Sequence, residues 1–515
     1  MHDPQSLPET LPLDHLTLRG AGADRALILR EETLTYAQLE ERVGQLAGWL
    51  AARAGAGARI ASWAGKGELT CLLPLAAPRA GLVHVPLNPL LKRAQVAHIL
   101  VDSGAALLIA NAARIASLQG GDVPPACRVA EDPATMREIR SAAPLPPSPA
   151  APDALAALLY TSGSTGLPKG VMLSHRNLWL GAAAVAEYLQ LAADDVTLAV
   201  LPLAFDYGQN QLLSTWYAGG AVVPLDYLLP RDAVKACARH QVTTLAAVPP
   251  LWVQLTEADW PEEATRPLRR LTNSGGALNR PLIAAMRRSF GAAHIVPMYG
   301  LTEAFRSTYL PSELVDSHPT SIGRAIPHAE VLVVNDAGEA AAPDEEGELV
   351  HCGPLVAQGY WRDPARTAER FRPAPAWSRY GGTAVWSGDR VRRDADGLLC
   401  FVGRRDAMIK SGGNRISPEE VEAAALGSGL VAEAVALGVA DARLGQAVHL
   451  VVRGKAGMAE GERKGLQQHL ARELPNFMQP EQVHWRDELP RTLNGKLDRQ
   501  RLLEELESGG AADAG

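Results

Sequence analysis

The chain has 515 residues, which at roughly 150 residues per domain leaves room for about three units. Hydrophobic residues make up 47% and charged residues 21%, the balance of a globular chain with a large core, and disorder as the main state is excluded. Fifty Lys and Arg against 57 Asp and Glu give a formal charge of −7, which argues against a general nucleic-acid or anionic-membrane surface.

The first residues, Met1 to Glu9, are acidic and interrupted by proline, unlike a signal or transit peptide. Thr35, Tyr36, Ala37 and Gln38 have capping-box form, and Leu39, Val43, Leu46, Ala47 and Leu50 follow on one helical face, so a helix is expected near residues 35–53. Short apolar runs at 82–85 and 107–110 alternate with helix-like stretches, which points to α/β architecture with helix-covered sheets. The most apolar region, 69–91, is broken by Arg79, His84, Asn88 and several prolines and does not suit a membrane span. Residues 141–153 are proline-rich, an extended surface connector. Further strand-like runs lie at 155–160, 197–201, 221–224, 245–248 and 331–334.

A boundary is expected at 404–410, with a large domain over 1–405 and a small α+β domain over 407–507. That small domain opens on Ser417 as N-cap with Pro418 at N1 and Glu419 and Glu420 in the first turn. Strands at 435–439, 447–452 and 483–485 and a polar helix at 459–473 follow, and 508–515 should be a flexible tail. The five cysteines form no C-x-x-C pair, so neither a zinc ribbon nor a disulfide framework is supported, and reduced thiols of a cytoplasmic chain are expected.

The strongest local signal runs from Leu158 through Tyr160, Thr161, Ser162, Gly163, Ser164, Thr165, Gly166 and Pro168 to Lys169 and Gly170. Glycines let the backbone turn its N–H groups to one point, hydroxyls add donors and Lys169 adds positive charge, which together suit an oligophosphate. The spacing is not that of a Walker loop, because a proline and then a glycine flank the lysine. Met298, Tyr299, Gly300, Leu301, Thr302 and Glu303 form a second candidate. Ser387-Gly388-Asp389 and Asp396-Gly397 are turn-like on their own. A longer phrase runs from Gly403 and Arg404 to Glu422, and Asn494-Gly495-Lys496 places one lysine after a turn near the C-terminus.

In this order the motifs resemble the adenylate-forming superfamily of acyl-CoA and aryl-CoA ligases, peptide-synthetase adenylation domains and luciferases, over residues 34–503. The wording around Phe205-Asp206-Tyr207-Gly208, Gly300 to Arg306 and Ile409 to Gly412 is most like acyl-CoA ligases associated with exosortase gene clusters and free-standing amino-acid adenylating enzymes. The resemblance implies that ATP and a carboxylic acid give an acyl-adenylate and pyrophosphate, after which the thiol of CoA or of a carrier protein's phosphopantetheine displaces AMP. Two anions must meet in the first half, so charge neutralisation and positioning should dominate over proton transfer.

By the same resemblance Thr161, Ser162, Ser164, Thr165 and Lys169 cover the β- and γ-phosphates, with Gly163 and Gly166 in the same loop. Thr302 touches the α-phosphate and Glu303 holds Mg²⁺. Gly275, Gly276 and Ala277 line the adenine with Tyr299 stacked on it beside Gly300, while Asp389 binds the ribose hydroxyls with Arg404 in support. Lys496 reaches the reacting carboxylate; the small domain then rotates about Asp406 and presents the segment of Lys410, Gly412 and Gly413 to the thiol.

The acid pocket is expected from Phe205, Asp206, Tyr207, Asn210, Thr272, Ser274, Met298 and Arg306. Phe205 stands where many acyl-CoA ligases carry a histidine, which puts the gating role of that position in doubt. Two uses of Asp206 stand open: it pairs with a substrate ammonium, as in amino-acid-activating relatives, or with Arg306, which could instead face a second carboxylate of the substrate. The substrate is then a small carboxylic or amino acid, and a carrier protein is a candidate partner. A non-catalytic nucleotide-binding protein would lack Glu303 or Lys496, and both are present; oxidative chemistry of the luciferase type has no support in the sequence.

Overall fold

The capping box at Thr35 forms: its hydroxyl accepts from the Gln38 amide, the Gln38 side chain accepts from the Thr35 amide, and the helix Tyr36–Ala51 follows. Leu39, Val43, Leu46, Ala47 and Leu50 are all buried along it, and truncating one of its leucines to alanine is expected to cost about 2–5 kcal/mol. The computed structural model describes residues 9–162, 168–404, 409–411, 414–441, 444–455, 463–493 and 495–510.

Three sheets organise the described residues. A six-stranded sheet runs Arg128–Glu131, Ala105–Ala110, Arg59–Trp63, Val83–Pro86, Leu155–Ser162, Pro168–Ser174. Its first five strands pair in parallel and the last two form an antiparallel pair that carries Thr161 opposite Lys169. The 14-stranded sheet has a parallel heart, in which Ala221–Pro224, Val196–Ala199, Thr244–Ala247, Arg270–Asn273 and His294–Tyr299 lie side by side. It continues antiparallel through Thr308–Tyr309, Ser321–Ala325, Leu399–Arg404 and Thr383–Arg393. In such sheets ligands gather beyond the carboxyl ends of the parallel strands, and Ser274 to Ala277 and Gly300 to Glu303 stand there.

Residues 141–153 are extended, as expected, but they are strapped down. Leu145 N donates to Gly44 O, and Asp14 accepts from the Ser148 amide and hydroxyl while pairing with the buried Arg79 at 3.0 Å. The apolar region near 69–91 folds as the helix Glu68–Arg79 and the strand Val83–Pro86. Among the described residues no helix is long and apolar enough to cross a membrane, and the five cysteines are free thiols.

The C-terminal part is an α+β unit, with a five-stranded sheet packed against Pro418–Gly427, Arg463–Glu473 and Arg499–Gly510. Three expectations need correction. Ser417 occupies the N-cap position but makes no cap bond, because its hydroxyl donates to Val402 O at 2.6 Å and so ties this unit to the preceding strand. Residues 508–510 continue the helix Arg499–Gly510, where a tail was expected from 508 onward. Ser387-Gly388-Asp389 is no turn but lies inside the strand Thr383–Arg393, where Gly388 at φ +69° sits opposite a register shift between Glu348 and Val350.

Candidate active site

The antiparallel pair Leu155–Ser162 and Pro168–Ser174 delivers Lys169 to a buried carboxylate. Lys169 Nζ lies 3.4 Å from Glu303 Oε1 and donates to Tyr360 Oη at 2.7 Å, and the Tyr360 hydroxyl donates to Glu303 Oε1 at 2.5 Å. Burial alone would raise the Glu303 carboxyl, which is 7% exposed, but the Lys169 charge, the Tyr360 bond and the nearby Arg370 outweigh it and hold the pKa below the usual range. Desolvation pulls the Lys169 ammonium down, against Glu303. The Thr161 hydroxyl is buried without a hydrogen-bond partner, which suits a loop waiting for a phosphate acceptor.

A metal would find one ionised carboxylate here, Glu303, beside the phosphate loop. Among the described residues there is no cluster of three His, Cys, Asp or Glu to hold an ion unaided. A single carboxylate completed by substrate phosphates and water is the donor set that Mg²⁺ favours.

Asp389 and Tyr299 come together on the nucleoside side. The Tyr299 hydroxyl donates to Asp389 Oδ2 at 2.5 Å, and Asp389 lies opposite Arg404 in the pairing of their strands. Gly275 and Gly276 follow Arg270–Asn273 directly, with the Asn273 side chain donating to Gly276 O, and Ala277 is exposed beside them. Gly300 packs so tightly that an added Cβ would meet Phe305 O at 2.7 Å.

The helix Asp206–Tyr217 is buried along nearly its whole length although it is rich in polar residues. Gly208 permits this, because a Cβ there would stand 2.0 Å from Pro202 O. With Tyr188, Thr272, Met298 and Arg306 the helix lines a small cavity of about 20 Å³. Tyr207 Oη shares a 2.6 Å hydrogen bond with Thr272 Oγ1, and Arg306 Nη1 donates to Ser274 Oγ at 3.1 Å. Asp206 is 5% exposed, and burial raises its pKa against the pull of Arg306 and Lys496. Asp206 and Arg306 feel each other's charge but do not close into an ion pair. Phe205, at the mouth, turns its ring toward Lys496, whose Nζ lies 5.4 Å from the ring centroid.

Thr302 and Glu303 open a short 3₁₀ turn, and Phe305 after it takes φ +63°, ψ −93°. Such a conformation is costly for a non-glycine residue. Here it reverses the chain so that Glu303 faces Lys169 while Arg306 enters the acid cavity.

Lys496 comes from the C-terminal unit. The turn before it is closed by Thr492 N donating to Lys496 O and Gly495 N donating to Thr492 O. Leu493 O accepts from Asn88 Nδ2, and the Lys496 side chain reaches Gly275. The expected site residues Gly163, Ser164, Thr165, Gly166, Asp406, Gly412 and Gly413 lie outside the described residues, while Ser162, Arg404 and Lys410 are placed by backbone pairing alone. Lys410 pairs with Arg415 across the hairpin Ile409–Ser411 and Asn414–Ile416.

Tyr360, Arg370, Tyr188 and Asn88 were not expected from the sequence. An aromatic after a glycine and an arginine in a polar helix carry no chemical signature of their own; only the fold sets them beside Glu303 and Arg306.

Comparison with known proteins agrees with this geometry. The family described as AMP-binding enzyme matches residues 17–361, and the AMP-binding enzyme C-terminal domain matches 420–496. The chain belongs to the AMP-binding enzyme family. It is 31% identical to an L-proline–(L-prolyl-carrier protein) ligase of Pseudomonas fluorescens, over 94% of this chain and 96% of the relative. It is 34% identical to a feruloyl-CoA synthase of an Amycolatopsis species, over 90% and 92%. ATP-bound MatB from Rhodopseudomonas palustris superposes with a TM-score of 0.86 at 26% identity, over 96% of this chain and 99% of that one. The chain is thus an adenylate-forming ligase, and its coarse activity is acid activation followed by thioester formation on CoA or a carrier protein.

Proposed function

We propose that this site joins ATP and a small carboxylic acid as acyl-adenylate through two lysines from different parts of the chain, and that the C-terminal unit then turns to admit a thiol. The observation that carries this reading is Lys496 seated between Gly275 and Phe205, beside the mouth of the acid cavity and on the nucleotide face that Tyr299 and Asp389 complete.

In the first half a carboxylate oxygen of the acid bonds to the α-phosphorus of ATP, and the bond to the bridging oxygen of pyrophosphate breaks. Lys496 neutralises the meeting anions; Lys169 and the orphan Thr161 hydroxyl receive the outer phosphates. Thr302 borders the α-phosphate, and Asp389, which only accepts when ionised, suits the ribose diol. Bound Mg²⁺, held by Glu303, would supply further neutralisation of phosphate charge. In the second half a thiol sulfur bonds to the acyl carbon and AMP leaves with the former carboxylate oxygen. We assign the hinge to Asp406 and the thiol-facing segment to Lys410, Gly412 and Gly413.

ATP–pyrophosphate exchange over a panel of acids tests the reading, with thioester formation scored separately on CoA and on a carrier protein. Absence of acid-dependent exchange would overturn it. Asp206, buried at the start of the helix that lines the cavity and not ion-paired with Arg306, favours a second reading, an amino acid whose ammonium it receives. In that case exchange depends on amino acids and Asp206→Ala abolishes it; exchange with simple acids alone excludes it.

A further inference from the structure

Resting on the reading of this cavity as the acid site, we infer that the acid it takes carries a second anionic group and that Arg306 receives that group.

Arg306 is 2% exposed, and among the described residues no carboxylate closes on it as an ion pair. A buried cation is expensive unless a carboxylate closes on it, and Asp206 feels its charge without closing on it as an ion pair. The guanidinium is also held in place. Its Nη1 donates to Ser274 Oγ, and its carbon lies 4.7 Å from the centroid of the Tyr207 ring and 5.4 Å from that of Phe305. The strained Phe305 backbone fixes the direction from which it enters.

Two donors in this wall lack any acceptor: Arg306 Nε and Asn210 Nδ2, the latter on a residue 3% exposed. Unsatisfied buried donors call for an acceptor-rich group. A planar guanidinium with its flank free matches a carboxylate or a comparable oxyanion. The rest of the wall is mixed: Thr197, Ser214 and Thr244 stand beside Val185, Leu189 and Met298. The cavity beside Arg306 is narrow, about 20 Å³, room for little more than one water-sized group, so only a short acid suits it. One end meets Lys496 and the other Arg306, with Asp206 close enough to sense both.

The test is ATP–pyrophosphate exchange with matched pairs: succinate beside butyrate, glutarate beside valerate, aspartate beside asparagine and glutamate beside glutamine. The full-length protein is compared with Arg306→Leu and Arg306→Lys, and ATP binding is measured directly for each. At least one second-anion acid should exceed its neutral partner in kcat/KM by about 100-fold or more. Arg306→Leu should reverse that preference with ATP binding unchanged, Arg306→Lys should keep part of it, and Arg306→Leu should melt no lower than the parent. Exchange that favours neutral partners, or that no second-anion acid supports although ATP binds, overturns the inference and leaves the nucleotide reading standing. Collapse of the melting midpoint in both variants would make Arg306 a structural cation and also overturn it. Failure of the parent protein to bind ATP would overturn the nucleotide reading as well.

Discussion

Lys496 Cε lies 2.8 Å from where a Cβ on Gly275 would stand, so the lysine of the C-terminal unit rests on bare backbone of the N-terminal one. Gly275 also takes φ +80°, a conformation that L side chains seldom adopt. The clash falls on the far end of a flexible side chain and displaces the ammonium, on top of the backbone strain an alanine meets at this φ. Gly275→Ala should lower acid-dependent exchange by about 10- to 100-fold, the scale of a misplacement near 1 Å. Thioester formation from supplied acyl-adenylate should change far less. Equal loss in both assays would show that the residue supports the fold and not the lysine.

Lys496→Ala should reduce adenylation by a factor of about 10³ or more, since it removes the cation at the point where two anions meet. Transfer from supplied acyl-adenylate to the thiol should persist, because the proposed rotation withdraws the lysine in that half. Burst experiments on the separate half-reactions measure this directly. If both fall together, Lys496 serves both steps and the proposed rotation is wrong.

Tyr360 bridges Lys169 and Glu303 through one hydroxyl. A hydrogen bond to a charged group contributes roughly 1.5–3 kcal/mol, so Tyr360→Phe should cut exchange by about 10- to 100-fold, mainly through weaker ATP binding. That hydroxyl also helps to hold the Glu303 carboxyl below its ordinary range. Its loss should therefore move the acid limb of the pH–rate profile to higher pH. An unmoved limb would remove Glu303 from the titrating groups that matter.

His84 and His351 are fully buried, and burial lowers each to about 3. In the unfolded chain each takes its proton near 6.5. Between pH 6.5 and 3 the unfolded state thus binds more protons, and stability that is complete above pH 6.5 drains away as the pH falls. Thermal midpoints measured from pH 7.5 to 4.5 should drop steadily. His84→Gln and His351→Gln, each keeping a partner for Ser62 or Ser307, should each flatten the slope. A parent protein with a flat profile over that range would refute the burial argument.

Much of the architecture was legible without coordinates because it follows from local chemistry. The capping residues before Tyr36 and the apolar runs act through neighbours in the chain. The N-cap at Ser417 shows the limit: position was readable, but the hydroxyl chose Val402 O, fifteen residues away. Ser387-Gly388-Asp389 misled in the same way, since a glycine at positive φ serves a bulge as readily as a turn.

The sequence by itself determined which groups carry charge and where glycine frees the backbone. Tertiary structure decided which charges remain uncompensated. It brought Tyr360 to Glu303, kept Asp206 out of ion-pair reach of Arg306, and left Arg306 Nε and Asn210 Nδ2 without acceptors. The physical reason is range: caps and turns close within a few residues, whereas the cost of a buried charge depends on every atom that packs around it.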